Sequence, residues 1–182
     1  MFRKKISDAY TTFFSEAFTI YESSFPQEER RGREQQIALL QDNQYNFELI
    51  VQGDRCIGIF LWWLIGDYRY IEHFAIHPAV RNAGIGRSVI SEFIAQSEIP
   101  VVLEVEKPTD SLTIRRIDFY KRQGFQYADC EYAHPPFVAH SPFVQLRLMS
   151  FPHVFDEDDV ARFIDTTHPI VHRVYFEDLH RL

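Results

Sequence analysis

Residues 76–88 hold the densest grouping of groups able to bind an anion: Ile76-His77-Pro78-Ala79-Val80-Arg81-Asn82-Ala83-Gly84-Ile85-Gly86-Arg87-Ser88. Gly84 and Gly86 let the backbone approach a ligand closely and take angles closed to other residues. A helix starting at Ile85 puts the amides of Ile85, Gly86, Arg87 and Ser88 at its N-terminus, where unpartnered N–H groups and the dipole favour negative charge. Arg81 and Arg87 add positive charge, and Ser88 adds a hydroxyl. This is the chemistry of a phosphate cradle. No Lys-Ser/Thr pair follows the glycines as in a Walker loop, and no third glycine completes GxGxxG after Gly86.

The histidines invite a metal reading. His73-x3-His77, His168-x3-His172 and the pair His134 and His140 each lack a third ligand at a recognised spacing. No metal is expected. Cys56 and Cys130 stand alone, outside any CxxC, and suit a reducing cytoplasm.

The cradle needs a strand before it and a helix after it. The pattern supplies both. A short strand over 2–6 precedes a helix over 9–23, with Asp8 as its N-cap and Phe13, Phe14, Ala17, Phe18 and Tyr21 at helical spacing. Ser24-Phe25-Pro26 ends it, and a second helix is expected over 27–40. A meander follows, with strands over 46–52, 55–65 and 68–76 joined by Gly53-Asp54 and Gly66-Asp67. The helix after the loop spans 85–97. A nearly all-apolar strand occupies 100–105, as for one covered on both faces. A helix over 110–122 ends at Gly124, and strands over 125–132 and 143–149 close the order. The class is α/β (α+β), with a mixed central sheet of about six to seven strands and helices on both faces. Residues 151–182 differ, with seven acids against three arginines. They read as an appended element packing on the domain 1–150 or on a partner subunit, with a helix over 156–164 and a strand or arm over 170–175. A homodimer is compatible with such a tail.

Composition narrows the partners. The net charge of −7 over 182 residues argues against a broad nucleic-acid surface. The start of the chain carries no apolar signal region, and the longest apolar run, 56–66, is too short to span a bilayer. No membrane partner is expected. Aromatics make up 15% of the chain, enough to line a cleft as well as a core.

The loop segment Arg81-Asn82-Ala83-Gly84-Ile85-Gly86, preceded by Phe74-Ala75-Ile76-His77-Pro78, resembles the acetyl-CoA motif Arg/Gln-x-x-Gly-x-Gly/Ala of the GNAT acetyltransferases. Further on, Phe119-Tyr120-Lys121-Arg122-Gln123-Gly124-Phe125 is similar to that family's Phe-Tyr-x-x-x-Gly-Phe helix end. The resemblance covers about residues 1–150. It implies acetyl transfer from acetyl-CoA to a primary amine of a small molecule or peptide, by direct attack in a ternary complex. A non-catalytic acyl-CoA-binding or regulatory module on the same fold is the alternative.

The resemblance also assigns residues. Main-chain groups of Phe74, Ala75 and Ile76 meet the pantetheine and thioester, and residues 81–88 hold the phosphates. Tyr120 is the general acid for the thiolate, its phenol protonated at neutral pH. Thr113 stands where the family often has Asn beside the coenzyme. Alternation puts Tyr70, Glu72 and Phe74 on one strand face and Ile71 and His73 on the other. Glu72 is the candidate base, with His73 or a water as alternatives. Phe25, Trp62, Tyr70 and Glu72 are the expected acceptor-side residues.

Overall fold

The computed structural model describes residues 1–137 and 141–173. The described residues form eight β-strands and five α-helices in a mixed α/β fold, against the six to seven strands expected. They divide into two compact units. One is Met1–Leu64 with Arg69–Glu98, and the other is Ile65–Tyr68 with Ile99–Leu182.

The first unit holds β1 (Phe2–Lys5), α1 (Thr12–Ser24), α2 (Arg33–Leu39), β2 (Tyr45–Gln52), most of β3 (Arg55–Ile65) and β4 (Tyr68–Ile76), and α3 (Ile85–Ala95). The strands run in the order β1-β2-β3-β4. Register places Phe47 opposite Leu61 and Tyr45 opposite Trp63, with Glu48 opposite Phe60 and Asn46 opposite Trp62. Cross-strand partners share a face, so Tyr45, Phe47, Leu61 and Trp63 line one side, and Glu48, Phe60 and Trp62 the other. Phe14 of α1 packs on Phe47 at 5.7 Å between ring centroids. Phe93 of α3 packs on Phe60 and Trp62 at 4.8 and 5.1 Å. Helices therefore cover both faces of these strands.

Two local expectations fail at helix starts. Thr11 caps α1, its hydroxyl accepting from the Phe14 amide. Asp8, the expected cap, accepts from the Tyr10 amide in the turn before. The helix expected over 27–40 is split into a 3-10 turn, Gln27–Glu29, and α2. Arg30 between them is extended (φ −141°, ψ 153°), and Gly32 is the N-cap of α2, its N–H held by the Gln35 side chain. The break turns Arg31 inward, where its side chain is 5% exposed.

Gly58 in β3 marks the tightest approach to β4. A Cβ built there lies 2.6 Å from the Ala75 carbonyl oxygen. An isolated glycine in a strand often signals such an approach. Gly58→Ala is expected to force the strands apart and to destabilise by about 1–3 kcal/mol, as overpacking does. Urea unfolding checks this, and an unchanged midpoint would remove the packing argument.

The second unit contains β5 (Val101–Glu106), α4 (Ser111–Lys121), β6 (Gln126–Tyr127), β7 (Tyr132–His134), β8 (Val144–Phe151) and α5 (Glu157–Val171). β8 pairs antiparallel with β5, β6 and β7. The single strand expected over 125–132 is two. Tyr127 opposes Met149 and Tyr132 opposes Leu146, so five steps on one side face three on the other. The two surplus residues bulge out and break the ladder. Asp110 caps α4, and Gly124 takes the left-handed angle φ +92° just past its end.

The helix expected over 156–164 continues to Val171, so residues 170 and 171 are helical rather than a strand or arm. Val160, Phe163, Thr167, His168 and Val171 are buried at helical spacing. That burial outweighs the amide and the i−4 bond lost at Pro169. The remainder of the expected arm, from 174, lies outside the described residues, as does His140. No described helix is long and apolar enough to cross a membrane.

Candidate active site

The loop after β4 takes the form its glycines anticipate. Pro78–Val80 is a 3-10 turn, and Asn82 (φ 66°) and Gly84 (φ 77°) are both left-handed. Gly84 is the N-cap of α3. The Ser88 amide donates to the Gly84 carbonyl at 3.0 Å and so closes the first helical turn. This corrects the expected donor set. Ile85, Gly86 and Arg87 present amides with no acceptor inside the helix, and Ser88 offers only its hydroxyl. Residues 81–84, 87 and 88 are exposed, Ala83 among them, while Ile85 and Gly86 are half-buried. Arg81 donates through Nε to the Ile76 carbonyl at 2.8 Å, which ties the loop to the end of β4.

β4 departs from simple alternation. Phe74 packs edge-on against Phe60, on the α3 side. Glu72, two residues earlier, pairs with Arg31 at 2.7 Å, and the Arg31 guanidinium lies 5.6 Å from the Trp63 ring, on the opposite side. His73 Nδ1 is 3.6 Å from Glu72 Oε2, although neighbouring residues of a regular strand point apart. The phase therefore slips at Glu72-His73, and Glu72 does not share a face with Phe74 as expected. The Glu72 side chain is 1% exposed while the residue as a whole is half-buried, so its exposed surface is main chain.

The electrostatics of this corner are those of a buried ion pair. Burial pushes the Glu72 carboxyl up, but Arg31 and then His73 pull it further down, to about 2. Burial pulls the Arg31 guanidinium down, and Glu72 restores it above its ordinary value. Tyr21 accepts from the Arg31 amide at 2.9 Å, and burial raises its phenol to about 12. Tyr45 donates to Gln36 Oε1 at 2.7 Å. His73 Nε2 lies 2.9 Å from the Glu29 carbonyl, which can only accept, so Nε2 carries a proton. Phe25 and Tyr21 sit edge-on to the His73 ring at 4.5 and 4.9 Å.

Of the expected acceptor-side residues, the structure brings Phe25 and Glu72 to this corner. Tyr70 is buried at 1% exposure. Trp62 is on the other face, half-buried on Phe93, and donates to Glu48 at 3.1 Å. Its neighbour Trp63, not Trp62, adjoins Arg31. The Arg31 guanidinium at 2.7 Å engages the Glu72 carboxylate and holds its carboxyl low, which lowers its basicity. Arg31 was missed because helix periodicity was carried straight through it. The break at Gly32 was the available signal.

In the second unit, Tyr120 is buried against Phe119 and Phe125 at the end of α4. Burial, tempered by Arg116 and reinforced by Glu106, raises its phenol to about 12, with no hydrogen bond contributing. It is a proton donor throughout the physiological range. Arg116 pairs with Glu106 of β5. Thr113 is committed locally. Its hydroxyl accepts from the Thr109 and Asp110 amides and lies 3.0 Å from the Asp110 carbonyl, completing the helix cap. Those bonds occupy the group expected to meet the coenzyme. Among the described residues no group of three or more His, Cys, Asp and Glu is arranged to hold a metal.

Residues 43–127 match the family model described as an acetyltransferase (GNAT) domain. A solved structure described as a GNAT-family acetyltransferase, from Bacteroides thetaiotaomicron, is 29% identical with a TM-score of 0.87, covering 94% of this chain and 98% of that one. The ribosomal-protein-S18-alanine N-acetyltransferase from Escherichia coli is 17% identical, with a TM-score of 0.57 over 87% and 97% of the two chains. A GNAT acetyltransferase from Elizabethkingia anophelis with acetyl-CoA bound is 12% identical, with a TM-score of 0.55 over 82% and 95%. The last two share the fold. No curated protein matches the chain.

Proposed function

We propose, from the premise that residues 43–127 form a GNAT acetyltransferase domain on the GNAT fold, that the protein moves an acetyl group from acetyl-CoA to a primary amine of a small molecule or peptide. The observation that carries this reading is the loop: left-handed Asn82 and Gly84, three amides at the start of α3, and Arg81 and Arg87 beside them. That set complements a pyrophosphate. The main chain of residues 72–76, irregular and accessible at Glu72, suits the pantetheine amides and the thioester carbonyl.

The reaction forms a bond from the amine nitrogen to the acetyl carbon and breaks the carbon–sulfur bond. Tyr120 gives its phenolic proton to the departing thiolate. The amine's own proton leaves to water. Glu72 is engaged by Arg31 at 2.7 Å, and the other nitrogen of His73, Nδ1, is turned to Glu72 Oε2 at 3.6 Å. We place the protein in the cytoplasm, where acetyl-CoA is at hand and Cys56 and Cys130 stay free. Residues 1–150 form the catalytic domain in this reading, with 151–182 as its extension.

Calorimetric titration with acetyl-CoA, beside thiol release across a panel of amines, tests the proposal. Gly84→Ala is expected to weaken acetyl-CoA binding by about tenfold, the equivalent of about 1.4 kcal/mol of left-handed strain. Unchanged affinity in that variant would remove the loop from the coenzyme site. Binding without thiol release on any amine would favour a non-catalytic module.

A further inference from the structure

Three of the eight histidines, His134, His168 and His172, converge on one buried cluster in the second unit. Glu104 of β5, Tyr132 and His134 of β7, and His168 and His172 at the end of α5 meet there, with Phe137 and Phe163 as apolar walls. The three histidines and Tyr132 are each 3–4% exposed.

The hydrogen bonds have a fixed direction. Glu104 as a carboxylate can only accept. His134 Nδ1 lies 3.0 Å from both of its oxygens and therefore donates. The Tyr132 hydroxyl donates to Glu104 Oε1. Its single proton is then used, so His168 Nε2, 2.9 Å away, must donate to the Tyr132 oxygen. The chain runs from α5 through β7 to β5 and has its full set of protons with His168 neutral. A further proton on His168 makes a buried cation whose ring lies 5.5 Å from that of His172. His134 also opposes that charge.

We propose that this network is a pH-sensitive latch, which fastens α5 to β5 and β7 while His168 is neutral and releases it on acidification. The groups facing His168 are Glu104 from β5, Tyr132 and His134 from β7, and Asp165 and His172 from its own helix. Desolvation dominates among them and lowers His168 from 6.5 to about 4, with Glu104 and Asp165 opposing. The sign follows. A histidine lowered in the folded state binds fewer protons there than when released. The stability it confers is complete above about 6.5 and is lost as pH falls toward 4.

Hydrogen–deuterium exchange of the full chain, corrected for the intrinsic pH dependence, tests this from pH 7.5 to 5. Protection of the amides of α5 is expected to fall by up to about tenfold per pH unit below 6.5, while that of β2 and β3 stays level. In His168→Gln, where the amide donor remains but does not titrate, the slope should vanish and protection at pH 7.5 should persist. Tyr132→Phe, which cuts the chain, should leave α5 poorly protected already at pH 7.5. A flat wild-type profile, or an equal slope in His168→Gln, overturns the latch. The wild-type scan decides the matter even if a variant does not fold.

Discussion

Arg31→Met is expected to destabilise the protein by about 3–5 kcal/mol, the usual cost of removing one partner of a buried ion pair. The loss arises less from the missing attraction than from Glu72, left as a carboxylate at 1% exposure. Replacing both residues, as Arg31→Met with Glu72→Leu, should recover most of the loss, because an apolar pair leaves no orphaned charge. The pH dependence separates the variants. In the wild type, Glu72 falls from its ordinary 4.5 to about 2, so its contribution is present above about 4.5 and is lost as pH drops toward 2. The lowering corresponds to about 3 kcal/mol. In Arg31→Met the orphaned carboxyl is raised, so the deficit should shrink as pH falls. Urea unfolding at neutral and acid pH reads both effects. A single-variant cost under about 1 kcal/mol would show that the pair contributes little. For catalysis, Glu72→Gln should leave the acid limb of the kcat/KM profile in place, since the carboxylate titrates far below it. A displaced limb would restore Glu72 as the base.

Tyr120→Phe is expected to lower kcat by about 10²–10⁴-fold, the range for loss of a positioned general acid. It should do so with little change in stability, because no hydrogen bond contributes to the state of the phenol and both rings fill the space against Phe119 and Phe125. That separation is the useful part of the experiment. Turnover unchanged at saturating acetyl-CoA would leave Tyr120 as a packing residue. Because burial holds the phenol near 12, its ionisation should add no alkaline limb to the rate below about pH 11.

What the sequence revealed follows from how local the governing forces are. The loop 76–88 was legible because glycine at a helix start, arginines and left-handed angles are properties of neighbouring residues. The helix end at Tyr120 was legible for the same reason. The meander was marked by its turns. Glu72 was misplaced because period-two alternation cannot show a slip at Glu72-His73, which needs the positions of Phe60 and Trp63. The partner of Glu72 was invisible because Arg31 is 41 residues away in the chain. The Glu104 cluster was hidden likewise, since His134 and His168 come from separate elements. Helix α5 runs past the expected 164, through Pro169, because His168 and Val171 are buried at helical spacing, and that burial depends on partners distant in the chain. Thr113 was read by analogy with an asparagine, while its hydroxyl serves the cap.

The placement of the tryptophans gives the two units different optical signatures. The chain has only Trp62 and Trp63, and both lie in the first unit. Trp63 is fully buried beside the Arg31 guanidinium, and Trp62 is half-buried and bonded to Glu48. Indole emission therefore reports on the Arg31–Glu72 corner, whereas the rings that α5 meets in its own unit are phenols, phenyls and imidazoles. An acid titration followed by fluorescence and by amide exchange would see two separate events, one colour-coded to each half of the chain.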